Sequence, residues 1–282
     1  MTEHQLIRFL QSLAARPGGP LRVSVGDDCA VWRPRSGFDL LVTTDQLVEG
    51  IHFRRTQLPA RLAAARLVGR GLSDLAAMGG RPRAVFLSLA LPSEQRSGWS
   101  ADFLRGFGSA VRKLGAAWAG GDISGTDGRF AAVITALGET PAGTAVLRSG
   151  AKPGDALYVT GTLGLRRRVI APRLAVGAFL RRRQLATAMI DLSDGLSTDL
   201  HHLTEASGVG AELESARIPR RGSLDQALNY GEDYELLFTA RRPVPAQIAG
   251  VRLSRIGRIV AGRAVLLDGR PLAARGWEHL RS

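Results

Sequence analysis

The chain is poor in several residue types, and each shortage excludes something. It has one cysteine, Cys29, among 282 residues, so an internal disulfide and a thiolate zinc site are both excluded. Its only lysines are Lys113 and Lys152, so almost all of its 38 basic residues are arginine. No apolar run approaches the roughly 20 residues that span a bilayer. Residues 1–16 mix polar and apolar types and lack the core of a secretory signal. No membrane partner is expected, and the expected compartment is the cytoplasm. Neither lysine follows a glycine, so the G-K-[ST] ending of a P-loop is absent, as are the protein-kinase signatures. A chain of this kind that handled a nucleotide would hold its phosphates through metal ions and backbone amides.

What is present describes an ordinary globular protein. Hydrophobic residues make up 45% and charged residues 22%, and the length fits two domains better than one. The net charge of +13 is large. Its near-exclusive arginine content reads as a compositional bias, and no nucleic-acid partner is expected.

One stretch organises the rest. Ala188-Met189-Ile190-Asp191 is a short apolar run ending in an acid, and Leu192-Ser193-Asp194-Gly195 leads into a helical pattern with adjacent His201 and His202. Strand, acidic turn and helix is the simplest reading. Neighbours on a helix point apart, so the two histidines cannot ligate one metal together. The same logic recurs at Gly26-Asp27-Asp28, at Thr43-Thr44-Asp45 and at Gly120-Gly121-Asp122, each read as an acidic turn closing a strand. The run at 38–44 reads as a buried strand with Asp45 at its end, and His52 follows closely. Residues 59–78 read as a helix capped by Gly79-Gly80, with Asp74 in a small, apolar neighbourhood where a carboxylate requires a partner. Further helices are expected at 2–13 and 93–114, a strand at 156–160, a short helical connection at 165–183 and a terminal hairpin at 256–268. Gly231-Glu232-Asp233-Tyr234-Glu235 packs three acids before an apolar run, a segment suited to a cationic ligand. Trp277 can fill the core or stack on a flat ring.

Asp28, Asp45, Asp74, Asp122, Asp191 and Asp194 would repel one another if they met without cations. Several magnesium ions shared with a polyphosphate remove that conflict, and hydroxyl and carboxylate oxygens are the donors magnesium takes. Paired glycines at 120 and 121 would let backbone amides approach a phosphate. Arg148 could pair with a phosphate bidentately.

These motifs stand in one order along nearly the whole chain. Together, Gly26-Asp27-Asp28-Cys29-Ala30, Thr43-Thr44-Asp45, Gly50-Ile51-His52-Phe53, Ser73-Asp74-Leu75-Ala76-Ala77-Met78-Gly79, Gly120-Gly121-Asp122, Arg148-Ser149-Gly150-Ala151-Lys152-Pro153-Gly154-Asp155, Val159-Thr160-Gly161-Thr162-Leu163-Gly164, Ile190-Asp191-Leu192-Ser193-Asp194-Gly195-Leu196 and Gly231-Glu232-Asp233-Tyr234-Glu235-Leu236 resemble the thiamine-monophosphate kinase family of the aminoimidazole-ribonucleotide-synthetase-like superfamily. The resemblance implies a two-domain α/β (α+β) protein of PurM-like fold. Residues 1–145 would bind ATP and magnesium and join sheets into a barrel across a homodimer, and residues 146–282 would form an α/β domain completing the substrate site. It implies direct in-line transfer from ATP to thiamine monophosphate, with magnesium as cofactor. Magnesium ligands would be Asp28, Thr43, Thr44, Asp45, Asp74, Asp122, Asp191 and Asp194, of which Asp45, Asp122, Asp191 and Asp194 would be catalytic. ATP would meet Gly121, Asp122, Arg148 and Ser193; thiamine phosphate would meet His52, Glu232 and Trp277. The chain departs from the family pattern in shortened stretches at 164–191 and 217–230, in Gly71 where asparagine is usual, and in Tyr230 where glycine is usual. The shortened stretch at 164–191 flanks the substrate side. Two rival readings are a superfamily enzyme with another acceptor and a non-catalytic paralogue that binds nucleotide or nucleic acid.

Overall fold

The computed structural model describes residues 12–14, 16, 19–23, 31–92, 98–165 and 168–278. Asp28, and almost all of the helix expected at 2–13, lie outside them. The chain divides into two compact units, one of Met1–Leu75, Arg81–Gly143 and Arg168–Ile170, the other of Ala76–Gly80, Thr144–Arg167 and Ala171–Ser282.

In the first unit a short antiparallel pair, β1 (Leu21–Val23) and β2 (Val31–Trp32), precedes a four-stranded sheet. Its strands are β3 (Phe38–Val48), β4 (Arg81–Pro92), β5 (Ala117–Thr126) and β6 (Ala131–Pro141), in the order β3-β6-β4-β5. β4 and β5 run parallel, so a crossover must join them, and helix α2 (Gly98–Lys113) supplies it. Helix α1 (Ala60–Ala77) is alanine- and leucine-rich, with Ala64, Leu67, Val68, Leu72 and Leu75 at helical spacing and all fully or almost fully buried. Gly79 ends it at φ +68°, a conformation a side chain resists.

Alternation sorts the sheet into two faces. Leu41, Leu47, Val85, Leu87, Ala132 and Ile134 are buried on the face that α1 covers. The opposite face is largely open: Leu40 is 45% and Val42 62% exposed. β3 is therefore an outer strand with one exposed face, not the buried strand its apolar run suggested. Asp45 and Asp122 also lie inside β3 and β5, where strand ends were expected.

Gly71 explains one departure from the family pattern. A Cβ there would stand 2.7 Å from Ile134 Cγ2 on β6, so the bare backbone lets α1 settle on the sheet. Tyr230, the other departure, has φ −83° at a helix end, where any residue fits.

The second unit is built on an eight-stranded sheet whose main path is β14-β13-β9-β12-β7-β10-β8, with β11 on β12. The strands are β7 (Ala156–Thr160), β8 (Ala188–Asp191), β9 (Gly210–Leu213), β10 (Leu236–Ala240), β11 (Gln247–Ile248), β12 (Val251–Val260), β13 (Val265–Leu267) and β14 (Arg270–Pro271). Helices α3 (Leu174–Arg182), α4 (Leu196–Ser207) and α5 (Leu224–Asn229) accompany it. Both faces are covered. Leu237, Ile190 and Val159 join Leu196, Leu200 and Leu203 of α4, while Leu236, Phe238 and Met189 join Val176 and Leu180 of α3. Burying each large side chain is worth roughly 1.5–3 kcal/mol.

Two expectations are corrected here. Among the described residues of the segment 165–183, helix begins only at Leu174, two residues beyond Pro172. The hairpin expected at 256–268 does not form, because β9 lies between β12 and β13 and pairs with both.

Candidate functional site

In the first unit two periodicities interlock. Thr43 and Asp45 are two apart on β3, about 6.8 Å along the strand. Arg70 and Asp74 are four apart on α1, about 6 Å along the helix. The rows face each other: Thr43 Oγ1 donates to Asp74 Oδ2 at 2.5 Å, and Arg70 donates to Asp45 through Nε at 3.1 Å and through NH2 at 3.0 Å. Thr44 points to the other face, its hydroxyl donating to the Ile134 carbonyl at 3.2 Å. Thr43 and Thr44 therefore cannot present their side chains to one ion.

Asp122 does not join this group within one chain. Register carries Gln46 through Val133 and Ser88 to Asp122, which places Asp122 on the open face with Thr44. β5 and β3 are the outer strands, three strand spacings or roughly 14 Å apart. Gly121 is bare for a reason internal to the sheet: a Cβ would collide with the Leu87 carbonyl on β4. Among the described residues of the first unit, Asp45 and Asp74 therefore share one face of the sheet and Asp122 lies on the other.

His52 follows β3 in a tight turn in which Gly50, at φ +80°, donates to the Phe53 carbonyl at 2.7 Å. The Val48 N–H donates to His52 Nδ1 at 3.0 Å, which puts the proton of a neutral ring on Nε2. Beside this turn a cavity of about 760 Å³ is lined by Arg54, Arg55, Arg129, Trp99 and Glu49 among others, with Arg55 tied to Glu49 at 2.6 Å.

In the second unit the turn after β8 is gripped by two other segments. Glu232 N–H donates to the Ser193 carbonyl at 2.7 Å, Tyr234 N–H to Leu192 at 2.8 Å and Trp277 N–H to Asp194 at 2.8 Å. The approach is so close that a Cβ on Gly231 would stand 2.6 Å from the Ser193 carbonyl, and one on Gly276 would collide with that of Asp194. Glu232 and Tyr234 adopt φ +72° and +50°, a cost the surrounding bonds hold in place. Ser193, Asp194, Glu232 and Trp277 thus meet at one turn. Trp277 is 52% exposed and does not fill the core. Arg148 is exposed and lies by the start of β8, where Leu147 pairs with Met189, at the other end from Asp191.

Of the three clustered acids only Glu232 remains half-exposed. Asp233 is buried and accepts the N–H groups of Gly164 and Leu165 at 3.0 and 3.2 Å. Glu235 is fully buried, accepts the Thr160 hydroxyl at 2.6 Å and holds Arg173 bidentately. Two of the acids therefore set the shape of the segment, and Glu232 is the most exposed of the three.

Asp199, on the first turn of α4, was not singled out from the sequence. It is buried, and its Oδ2 accepts the N–H groups of Asp194 and Gly195 at 3.1 and 3.0 Å. Burial, then the charges of Asp191 and Asp194, push its carboxyl well above the usual range, with the two N–H bonds opposing. One ligand atom from each of Asp194, Asp199 and His202 lies within 4.8 Å of the others. His201 instead bonds the Ser197 carbonyl at 2.7 Å, so the adjacent histidines do point apart. Residues Asp191, Asp194 and Asp199 crowd negative charge onto one turn and offer oxygen donors, which fits a hard divalent cation. Arg70 was the other omission: an arginine in an alanine-rich helix reads as surface until β3 is laid against it.

A family model for the N-terminal domain of AIR synthase related proteins matches residues 26–140. A thiamine-monophosphate kinase of Rhodopirellula baltica is 36% identical over 265 residues, covering 84% of this chain and 83% of that protein. The crystal structure of a thiamine-monophosphate kinase from Stenotrophomonas maltophilia is 31% identical, with a TM-score of 0.83 over 95% of this chain and 96% of that one. The structure of AaThiL complexed with AMPPCP and TMP is 28% identical, with a TM-score of 0.76 over 88% of this chain and 89% of that one.

Proposed function

Because the chain belongs to the thiamine-monophosphate kinase family, we propose that it transfers the γ-phosphoryl group of ATP to thiamine monophosphate, giving ADP and thiamine diphosphate. An oxygen of the acceptor phosphate attacks the γ-phosphorus in line, and the bond to the β-phosphate oxygen breaks. No protein nucleophile is needed; positioning and charge neutralisation carry the catalysis. The observation that carries this reading is the similarity to family members over most of both chains. The meeting of Ser193, Asp194, Glu232 and Trp277 at one turn supports it from the structure. A carboxylate and an exposed indole suit the flat cation of thiamine, which favours this acceptor over the rival ones.

The assigned roles follow. Asp45, Asp74, Asp191 and Asp194, with Thr43, would hold magnesium, which neutralises the phosphates; Asp28, Thr44 and Asp122 complete the proposed set. Gly121, Arg148 and Ser193 meet ATP. His52, Glu232 and Trp277 meet thiamine phosphate. Residues 1–145 and 146–282 act as the nucleotide and substrate domains of a cytoplasmic enzyme. The open face of the β3-β6-β4-β5 sheet, with Leu40 and Val42 exposed, suits closure into a barrel with a second copy. Such closure gives the outer strands carrying Asp45 and Asp122 new neighbours.

The deciding assay supplies ATP, magnesium and thiamine monophosphate and resolves thiamine diphosphate by chromatography. Metal-dependent product is expected. ATP binding without product would move the assignment to another acceptor. Light scattering on Val42→Arg tests the barrel: the wild type should have the mass of a dimer and the variant that of a monomer.

A further inference from the structure

Asp45 is assigned above as a ligand for a divalent cation, yet the chain already holds both of its oxygens. Arg70 Nε donates to Oδ2 at 3.1 Å, Arg70 NH2 donates to Oδ1 at 3.0 Å, and the Gln46 N–H adds a bond to Oδ1 at 2.6 Å. This is the fork-to-fork geometry in which guanidinium grips carboxylate best. The Arg70 side chain is 9% exposed and that of Asp45 20%, so water screens the pair poorly.

The helix cannot easily turn to release the arginine. On one side of Arg70 a Cβ at Gly69 would stand 2.5 Å from the Ile170 carbonyl; on the other, one at Gly71 would stand 2.7 Å from Ile134 Cγ2. Both flanking backbone positions are pressed against their neighbours. The same helix face holds Asp74 four residues on, which accepts the Thr43 hydroxyl at 2.5 Å.

We infer that Arg70 is an intramolecular counter-ion that closes Asp45 to divalent cations while no nucleotide is bound. The inference rests on the proposed metal role of Asp45. Its chemistry is competition for one carboxylate: a divalent ion must displace two N–H donors to coordinate Asp45, and ions arriving on a triphosphate bring further oxygen ligands with which to do so.

The test uses the full chain without nucleotide and titrates manganese(II), reading free ion by electron paramagnetic resonance. Arg70→Leu is expected to gain one site per chain, or to tighten an existing one at least tenfold, and the double variant Arg70→Leu with Asp45→Asn is expected to lose that gain. Identical isotherms for wild type and Arg70→Leu would overturn the inference, as would a gain that survives in the double variant. If circular dichroism shows Arg70→Leu unfolded, Arg70→Lys keeps the charge and removes the fork; a gain of about threefold is expected, and none would overturn the inference. Turnover of the wild type with ATP and thiamine monophosphate is scored separately. Its absence would count against the proposed reaction, while the manganese isotherms would still decide the role of Arg70.

Discussion

The two units each gather carboxylates, but they balance them differently. In the first, Asp45 faces Arg70 across the helix and the sheet, and Glu139 faces Arg83 and Arg35. In the second, Asp199 is buried against Asp191 and Asp194, and like charges raise its affinity for a proton. The first group is compensated by the chain that makes it. The second sets like charges close together at one turn. The fold thus sets some acids against arginines and crowds others against one another, although both kinds look alike in a sequence.

The largest expected effect strikes the second group. Asp191→Asn should lower turnover by about a thousandfold, the scale on which loss of a transition-state electrostatic contact is felt, while melting like the wild type. Near-normal turnover would break the comparison. A smaller effect belongs to the compensated group. Burial raises the Glu139 carboxyl, but its bonds and charge interactions with Arg83 and Arg35 hold it below the usual range overall. Its contribution is therefore complete above the ordinary glutamate value and is lost as pH falls through the lowered native one. Glu139→Gln should cost roughly 1.5–3 kcal/mol near neutrality, and denaturation at several pH values should show that difference shrinking under acid.

Gly71→Ala tests whether packing or charge places the first group. The close approach to Ile134 predicts a loss of about 1–3 kcal/mol, and a double-mutant cycle with Ile134→Ala should show coupling; additive losses would mean that the contact is not the cause. The smallest effect is that of Asp199→Asn. It keeps an oxygen for the N–H groups of Asp194 and Gly195 and removes the charge. Wild-type stability should fall as pH rises from the ordinary aspartate range through the raised native value, and the variant should lack that fall. Stabilisation by magnesium, read as a melting shift, should also shrink in the variant.

Much of this was legible in the sequence where the signal is local. β7 and β8 lie where their apolar runs place them, and α1 ends at its glycine because periodicity and capping are short-range. The acid of β5 was misplaced at a strand end because Gly120 and Gly121 look like a turn, whereas at Gly121 the bareness serves contact with β4, and Asp45 was misplaced because a charge after an apolar run looks like a boundary. The terminal hairpin failed because no local pattern reveals that β9 inserts between β12 and β13. Arg70 and Asp45 stand 25 residues apart, and their pairing appears only when helix and strand are laid face to face.

The grip on the 191–195 turn also has a consequence in time. Arg275 N–H donates to the Ser197 hydroxyl at 3.2 Å, Gly276 N–H to that of Thr198 at 2.9 Å and Trp277 N–H to the Asp194 carbonyl at 2.8 Å. During synthesis, β8 and α4 emerge long before these donors exist. The turn cannot take its finished shape until residue 277 has left the ribosome, so a nascent chain cut short before that point would carry every acid of the turn and still lack the completed turn.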